Sequence, residues 1–236
     1  LPTISIVAPK CFTGTSITLN DSGVTDVFNA GSLTFTSAGA VAITEDSATD
    51  LTGTSTAGSL ALVSAGAITD TAAASLTVGA NAALTGTSIT IGDTGTDTFN
   101  AVTLTFTSAG AVAISEDSGT DLTGTSTAGS LALTSAGAIT DTAAASTTVA
   151  GNALLAGTGI TLGDTGTDVF NALSLTFNSA GAVAIGEDSA SELAGVSTAG
   201  SLALTSAGAI TDAAAASTTV AGNATFVGTA ITIGDT

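Results

Sequence analysis

The side chains in this sequence that could do chemistry are its acids, 19 Asp and Glu against one Lys and no His. Their spacing is ordered. They fall into six columns that recur with a period of about 71. The columns are Asp21, Asp93, Asp164 and Asp235; Asp26, Asp97 and Asp168; Glu45, Glu116 and Glu187; Asp46, Asp117 and Asp188; Asp50, Asp121 and Glu192; and Asp70, Asp141 and Asp212. Grouped carboxylates suit hard divalent cations, which take six to eight oxygen ligands. Paired carboxylates can also hydrolyse glycosidic bonds. Three equivalent copies argue against the second chemistry, because an active site is normally one departure from a repeat. Tyr, Trp and Met are absent as well as His, so the usual general base, oxyanion clamp and sugar-stacking platform are missing. Ser-based nucleophilic catalysis would lack its base. No enzymatic activity is expected.

Two acidic stretches are candidate cation sites, with calcium as the ion. "GDTGTDTFN" from Gly92 resembles the nonapeptide G-G-x-G-x-D-x-U-x of repeats-in-toxin calcium rolls, matching at Gly92, Gly95, Asp97 and Phe99 with Asp93 in place of the second Gly. "GDTGTDVFN" from Gly163 matches likewise, which adds Asp164 and Asp168 to Asp93 and Asp97. That family shares each site between consecutive nonapeptides, whereas here one nonapeptide occurs per repeat. The second stretch is the "EDS" loop with its later acid, Glu45, Asp46 and Asp50. The alternative for both is solvated turn and loop charge that discourages lateral aggregation.

Composition limits the partners. The formal net charge of −18 excludes nucleic acid, whose phosphates need Lys and Arg, and disfavours anionic membrane surfaces. Every long apolar stretch is interrupted by Thr, Ser, Gly or Asp, so no membrane-inserted helix is expected. No basic segment followed by an apolar run opens the sequence, so an export signal would lie outside it. The single cysteine, Cys11, beside Lys10, is a free thiol or an interchain link.

The elements that must position the acids are written three times. "LTFTSAGAVAI" at Leu33 returns at Leu104 and, as "LTFNSAGAVAI", at Leu175, giving copies at about 32–102, 103–173 and 174–236. Within a copy, "SLTF" at Ser32, "SLAL" at Ser59, "SLTV" at Ser75 and "SITI" at Ser88 alternate apolar and small residues, the pattern of strands with one face inward. Aromatics make up 3% of residues, and the apolar side chains are mainly Ala, Val, Leu and Ile, which fits a thin core between stacked strands. The expected fold is an all-β parallel β-solenoid over 12–236, with each "Ser-apolar-x-apolar" motif read as one coil and four to five coils per repeat. The run "DTAAAS" is expected as a corner rather than a helix. The Thr rows, such as "LTGTST" at Leu51, return too irregularly for an ice-binding face and are read as β-propensity and solubility.

Residues 1–11 stand outside the repeat, and "LPTISIVAP" alternates like a strand bounded by Pro2 and Pro9. This strand, or the first coil, is expected to add to the last coil of a second copy, making a head-to-tail homopolymer.

At "SLALTSAGAITD" from Ser130 and "AGNALL" from Ala150 the sequence resembles the β-helical shafts of bacterial filamentous-haemagglutinin-type adhesins and related large surface proteins. The resemblance implies a right-handed β-helix at a bacterial cell surface that displays or spaces other elements. The functional expectation is an extracellular structural rod that self-assembles into a filament or surface layer. The alternative is the shaft or cation-binding module of an adhesin.

Overall fold

The computed structural model describes residues 9–19 and 27–234. The expected β-augmenting segment Leu1–Ala8 and the acids Asp21, Asp26 and Asp235 lie outside these residues. The described residues form an all-β parallel β-solenoid of about ten turns, with 27 strands and no helix. The chain divides into two compact units, Leu1–Asp117 and Ser118–Thr236.

Local alternation produces the strands. Leu33–Ser37 buries Leu33, Phe35 and Ser37 and turns Thr36 outward, while Ala40–Glu45 buries Val41, Ile43 and Glu45. A buried Leu, Ile, Val or Phe contributes about 1.5–3 kcal/mol relative to an exposed one. One turn cannot collect this alone, because its inward side chains need the turns above and below.

Pairing register in the first unit defines three faces. Val41 pairs with Leu60, Leu60 with Ala82, and Ala82 with Leu104. Thr49, Ile68, Ile89 and Val112 form a second column, and Ser55, Leu76 and Phe99 a third. Chain order visits the three faces in rotation, so one turn comprises three strand segments. The motifs at Ser59, Ser75 and Ser88 therefore lie on three different faces; none is a coil by itself. Three turns carry the chain from Val41 to Leu104, whereas the sequence repeat starts earlier, at Leu33. The difference, the passage from Leu33 to Val41, is one more face. A repeat is thus three turns plus one face, fewer than the four to five coils expected. A consequence is rotation: Phe35 lies on the face of Ser55, whose Oγ accepts the Phe35 amide at 3.2 Å, whereas its counterpart Phe106 pairs with Leu84 on the face of Ile43.

The second unit follows the same rule. Leu131 pairs with Ala153, Ala153 with Leu175 and Leu175 with Leu193, while Val183 pairs with Leu202 and Leu202 with Ala224. The "DTAAAS" runs are corners, as expected. Ala74 N donates to Thr71 O at 2.9 Å, and Ala145 N to Thr142 O at the same distance. Ala73, Ala144 and Ala215 take left-handed φ of 66°, 67° and 64°, a region that costs an L side chain about 1–2 kcal/mol.

In the first unit Lys10–Gly14 pairs in parallel with Leu33–Ser37. Cys11 on it is exposed and free.

Candidate cation site

Strand Ile68–Asp70 ends on an acid, and strand Ile89–Ile91, one turn later, runs into the loop of Gly92 to Asp97. The loop begins with a left-handed residue, Gly92 at φ 70°. A Cβ there would lie 2.2 Å from the backbone oxygen of Ser115, so the position requires glycine on both conformational and steric grounds. The turn aims the Gly92 amide at Asp70, which accepts it on Oδ2 at 3.0 Å. Asp97, almost fully buried, accepts the Thr94 hydroxyl at 2.6 Å and the Thr94 amide at 3.3 Å.

These contacts bring carboxylate oxygens of Asp70, Asp93 and Asp97 within 4.8 Å of one another. Asp70 Oδ1 is buried and has no hydrogen-bond partner. Burial, reinforced by the charges of Asp97 and Asp93, raises the Asp70 carboxyl to about 6, against the opposing Gly92 hydrogen bond.

The second unit rebuilds the group. Oxygens of Asp141, Asp164 and Asp168 lie within the same limit, Gly163 at φ 62° donates to Asp141 Oδ2 at 3.0 Å, and Thr165 N donates to Asp168 at 3.0 Å. Asp141 Oδ1 is again buried without a partner. Burial, with the charges of Asp168, Asp164 and Asp121, raises Asp141 to about 6. At Asp212 the same contact recurs, with the Gly234 amide 3.0 Å from Oδ2. Three carboxylates on a glycine turn can supply several of the oxygens that a hard cation takes, with water completing the shell.

The structure therefore places Asp93 and Asp97 together, and Asp164 and Asp168 together, and adds Asp70 and Asp141. Reading the nonapeptide alone missed those two. The signal that could have found them is spacing: Asp70 and Asp93 stand as far apart in sequence as Leu76 and Phe99, which pair across consecutive turns.

Glu45, Asp46 and Asp50 form no such group among the described residues. Glu45 is 1% exposed; Oε1 accepts Ala30 N and, at 3.1 Å, the Ser47 hydroxyl, while Oε2 accepts the Thr49 hydroxyl at 3.4 Å. Burial raises its pKa against these hydrogen bonds. Asp46 accepts the Phe28 amide at 2.8 Å and Asp50 the Thr69 hydroxyl at 2.9 Å. Each of these acids ties one segment to the neighbouring turn.

No curated protein and no solved structure matches the chain. A family model does, three times, at residues 38–105, 109–176 and 180–236. The starts of these matches share the period of the sequence repeat, and together they cover more than half of the chain. The chain therefore belongs to the family described as repeats of unknown function (DUF5649).

Proposed function

We propose that the chain is an extracellular structural protein, a stiff β-solenoid that assembles end to end into a filament or surface layer. The observation that carries this reading is the parallel ladder within each unit, in which every turn pairs with the next through the same inward columns, Val41 to Leu104 in one unit and Leu131 to Leu193 in the other. A turn of a second copy can continue such a ladder by strand addition. The acidic surface favours solubility of the unassembled chain. The likeness to filamentous-haemagglutinin-type shafts supports a bacterial cell surface as the location.

Negative-stain electron microscopy of the purified 236-residue chain tests the reading. Filaments that disappear on deletion of Leu1–Ala8 support end-to-end strand addition through that segment. Filaments that survive the deletion refute that mechanism, and separate single particles refute self-assembly.

A second reading, a cation-binding module of an adhesin, is favoured by the buried and unpartnered Oδ1 atoms of Asp70 and Asp141 within their carboxylate groups. Calcium stiffening of the turns is the function it assigns. A calorimetric titration with no calcium uptake at millimolar concentration eliminates it.

A further inference from the structure

Glu187 ends strand Ala182–Glu187 and is 3% exposed. Its Oε1 accepts the Ala172 amide at 2.6 Å and the Ser189 hydroxyl at 3.3 Å. Its Oε2 is buried and has no hydrogen-bond partner. In the first repeat, Thr49 supplies a hydroxyl to the equivalent oxygen of Glu45. The counterpart of Thr49 is Ser191, whose Oγ is buried and also without a partner.

Nothing nearby offsets a charge at this position. The strands packed around it, Ile160–Leu162, Val169–Asn178 and Ser201–Ser206, contain no titratable residue. The loop that meets Gly186 at Gly163 carries only acids, Asp164 and Asp168. The adjacent Asp188 is an acid that accepts the Phe170 amide at 3.1 Å, and Glu192 beside Ser191 is an acid too. The whole unit Ser118–Thr236 contains no Lys, Arg or His. A buried carboxylate with a bare oxygen and no cation is strongly disfavoured, and the usual resolution is protonation.

We infer that Glu187 is a proton-operated latch: neutral, its carboxyl is held in the core beside the Ala172 amide, and on losing its proton the bare Oε2 must take up water, which opens the core at the start of strand Val169–Asn178. Burial, the largest cause, and the charge of Asp188 raise the carboxyl to about 7, against the hydrogen bonds from Ala172 and Ser189. The sign follows from linkage. Between the ordinary value of 4.5 and about 7, the folded chain holds a proton that the unfolded chain has released. The latch is therefore fully closed in acid and opens as pH rises through about 7.

The chain has only four glutamates, Glu45, Glu116, Glu187 and Glu192, so labelling Glu side-chain carboxyl carbons with carbon-13 yields four resonances. The full-length chain is titrated in chelator-containing buffer. The resonance absent from Glu187→Gln is expected to titrate with a midpoint near 7, and the Ala172 amide proton shift to follow the same curve. If Glu187→Gln does not fold, the Ala172 amide curve of the unaltered chain assigns the resonance. A midpoint near the ordinary 4.5, or an Ala172 shift that does not follow the titration, overturns the inference.

Discussion

The two glycines Gly163 and Gly166 lie in one loop and make opposite demands, so alanine at each is a matched test of the turn that positions Asp141, Asp164 and Asp168. Gly163 has φ 62°, and an added Cβ would sit 2.1 Å from the backbone oxygen of Gly186 and 3.1 Å from its carbon. Left-handed backbone costs alanine about 1–2 kcal/mol. Overlap with main chain, which cannot swing aside like a side chain, adds about 1–3 kcal/mol. Gly163→Ala is therefore expected to destabilise the chain by about 2–5 kcal/mol. At Gly166 an added Cβ would meet no atom within 4 Å, and the backbone is not left-handed. Gly166→Ala is expected to be neutral or to stabilise by up to about 1 kcal/mol through the unfolded state. Urea unfolding followed by circular dichroism reads the difference. With a slope of about 3 kcal/mol per molar, the upper end of the usual range because the slope grows with chain length, the Gly163→Ala midpoint should fall by about 0.7–1.7 M while the slope holds. Equal midpoints for the two variants would refute the close approach of the Gly163 turn to the next turn, and with it the geometry assigned to Asp141.

The remaining predictions concern the corners and the acids. Ala144→Gly relieves a left-handed alanine at φ 67° and should raise stability by about 0.5–1 kcal/mol net of the added unfolded-state entropy; a fall in the unfolding midpoint would contradict the assigned corner. If the Asp141 group takes calcium, saturation at one hundred times the dissociation constant should stabilise the chain by about 2.7 kcal/mol, and Asp141→Asn should weaken that response in thermal unfolding. Because Asp70 and Asp141 are raised to about 6 and only the ionised carboxylate binds a cation well, the calcium response should shrink as pH falls through about 6. A response that persists unchanged in acid would place any bound calcium elsewhere.

Much of the fold was legible because its information is local. The period of two in "SLALTSAGAITD" says which side chains face inward, and the recurrence of "LTFTSAGAVAI" says that the units stack. The corner at "DTAAAS" was legible too, since a short alanine run with no apolar period of 3.6 has no face to bury as a helix. The candidate site was half legible: Asp93 and Asp97 share one short turn, so their proximity is a property of the segment. The inclusion of Asp70 depends on the length of the intervening turn. Glu45 illustrates the opposite failure. It looks like surface charge beside Asp46, but it falls on an inward position of Ala40–Glu45, and the solenoid closes over it.

The amino-acid sequence by itself determined the strand pattern, the three-fold repetition and the absence of cationic side chains near the acids of the second unit, because each is set by residue identity and short-range spacing. Only the tertiary structure decided that three strand segments make one turn, that each repeat advances by one extra face, and which acids meet or are buried. The physical reason is that parallel pairing joins strands a full turn apart in the chain, and its register is chosen by the combined packing of the whole turn, to which no single motif holds the answer.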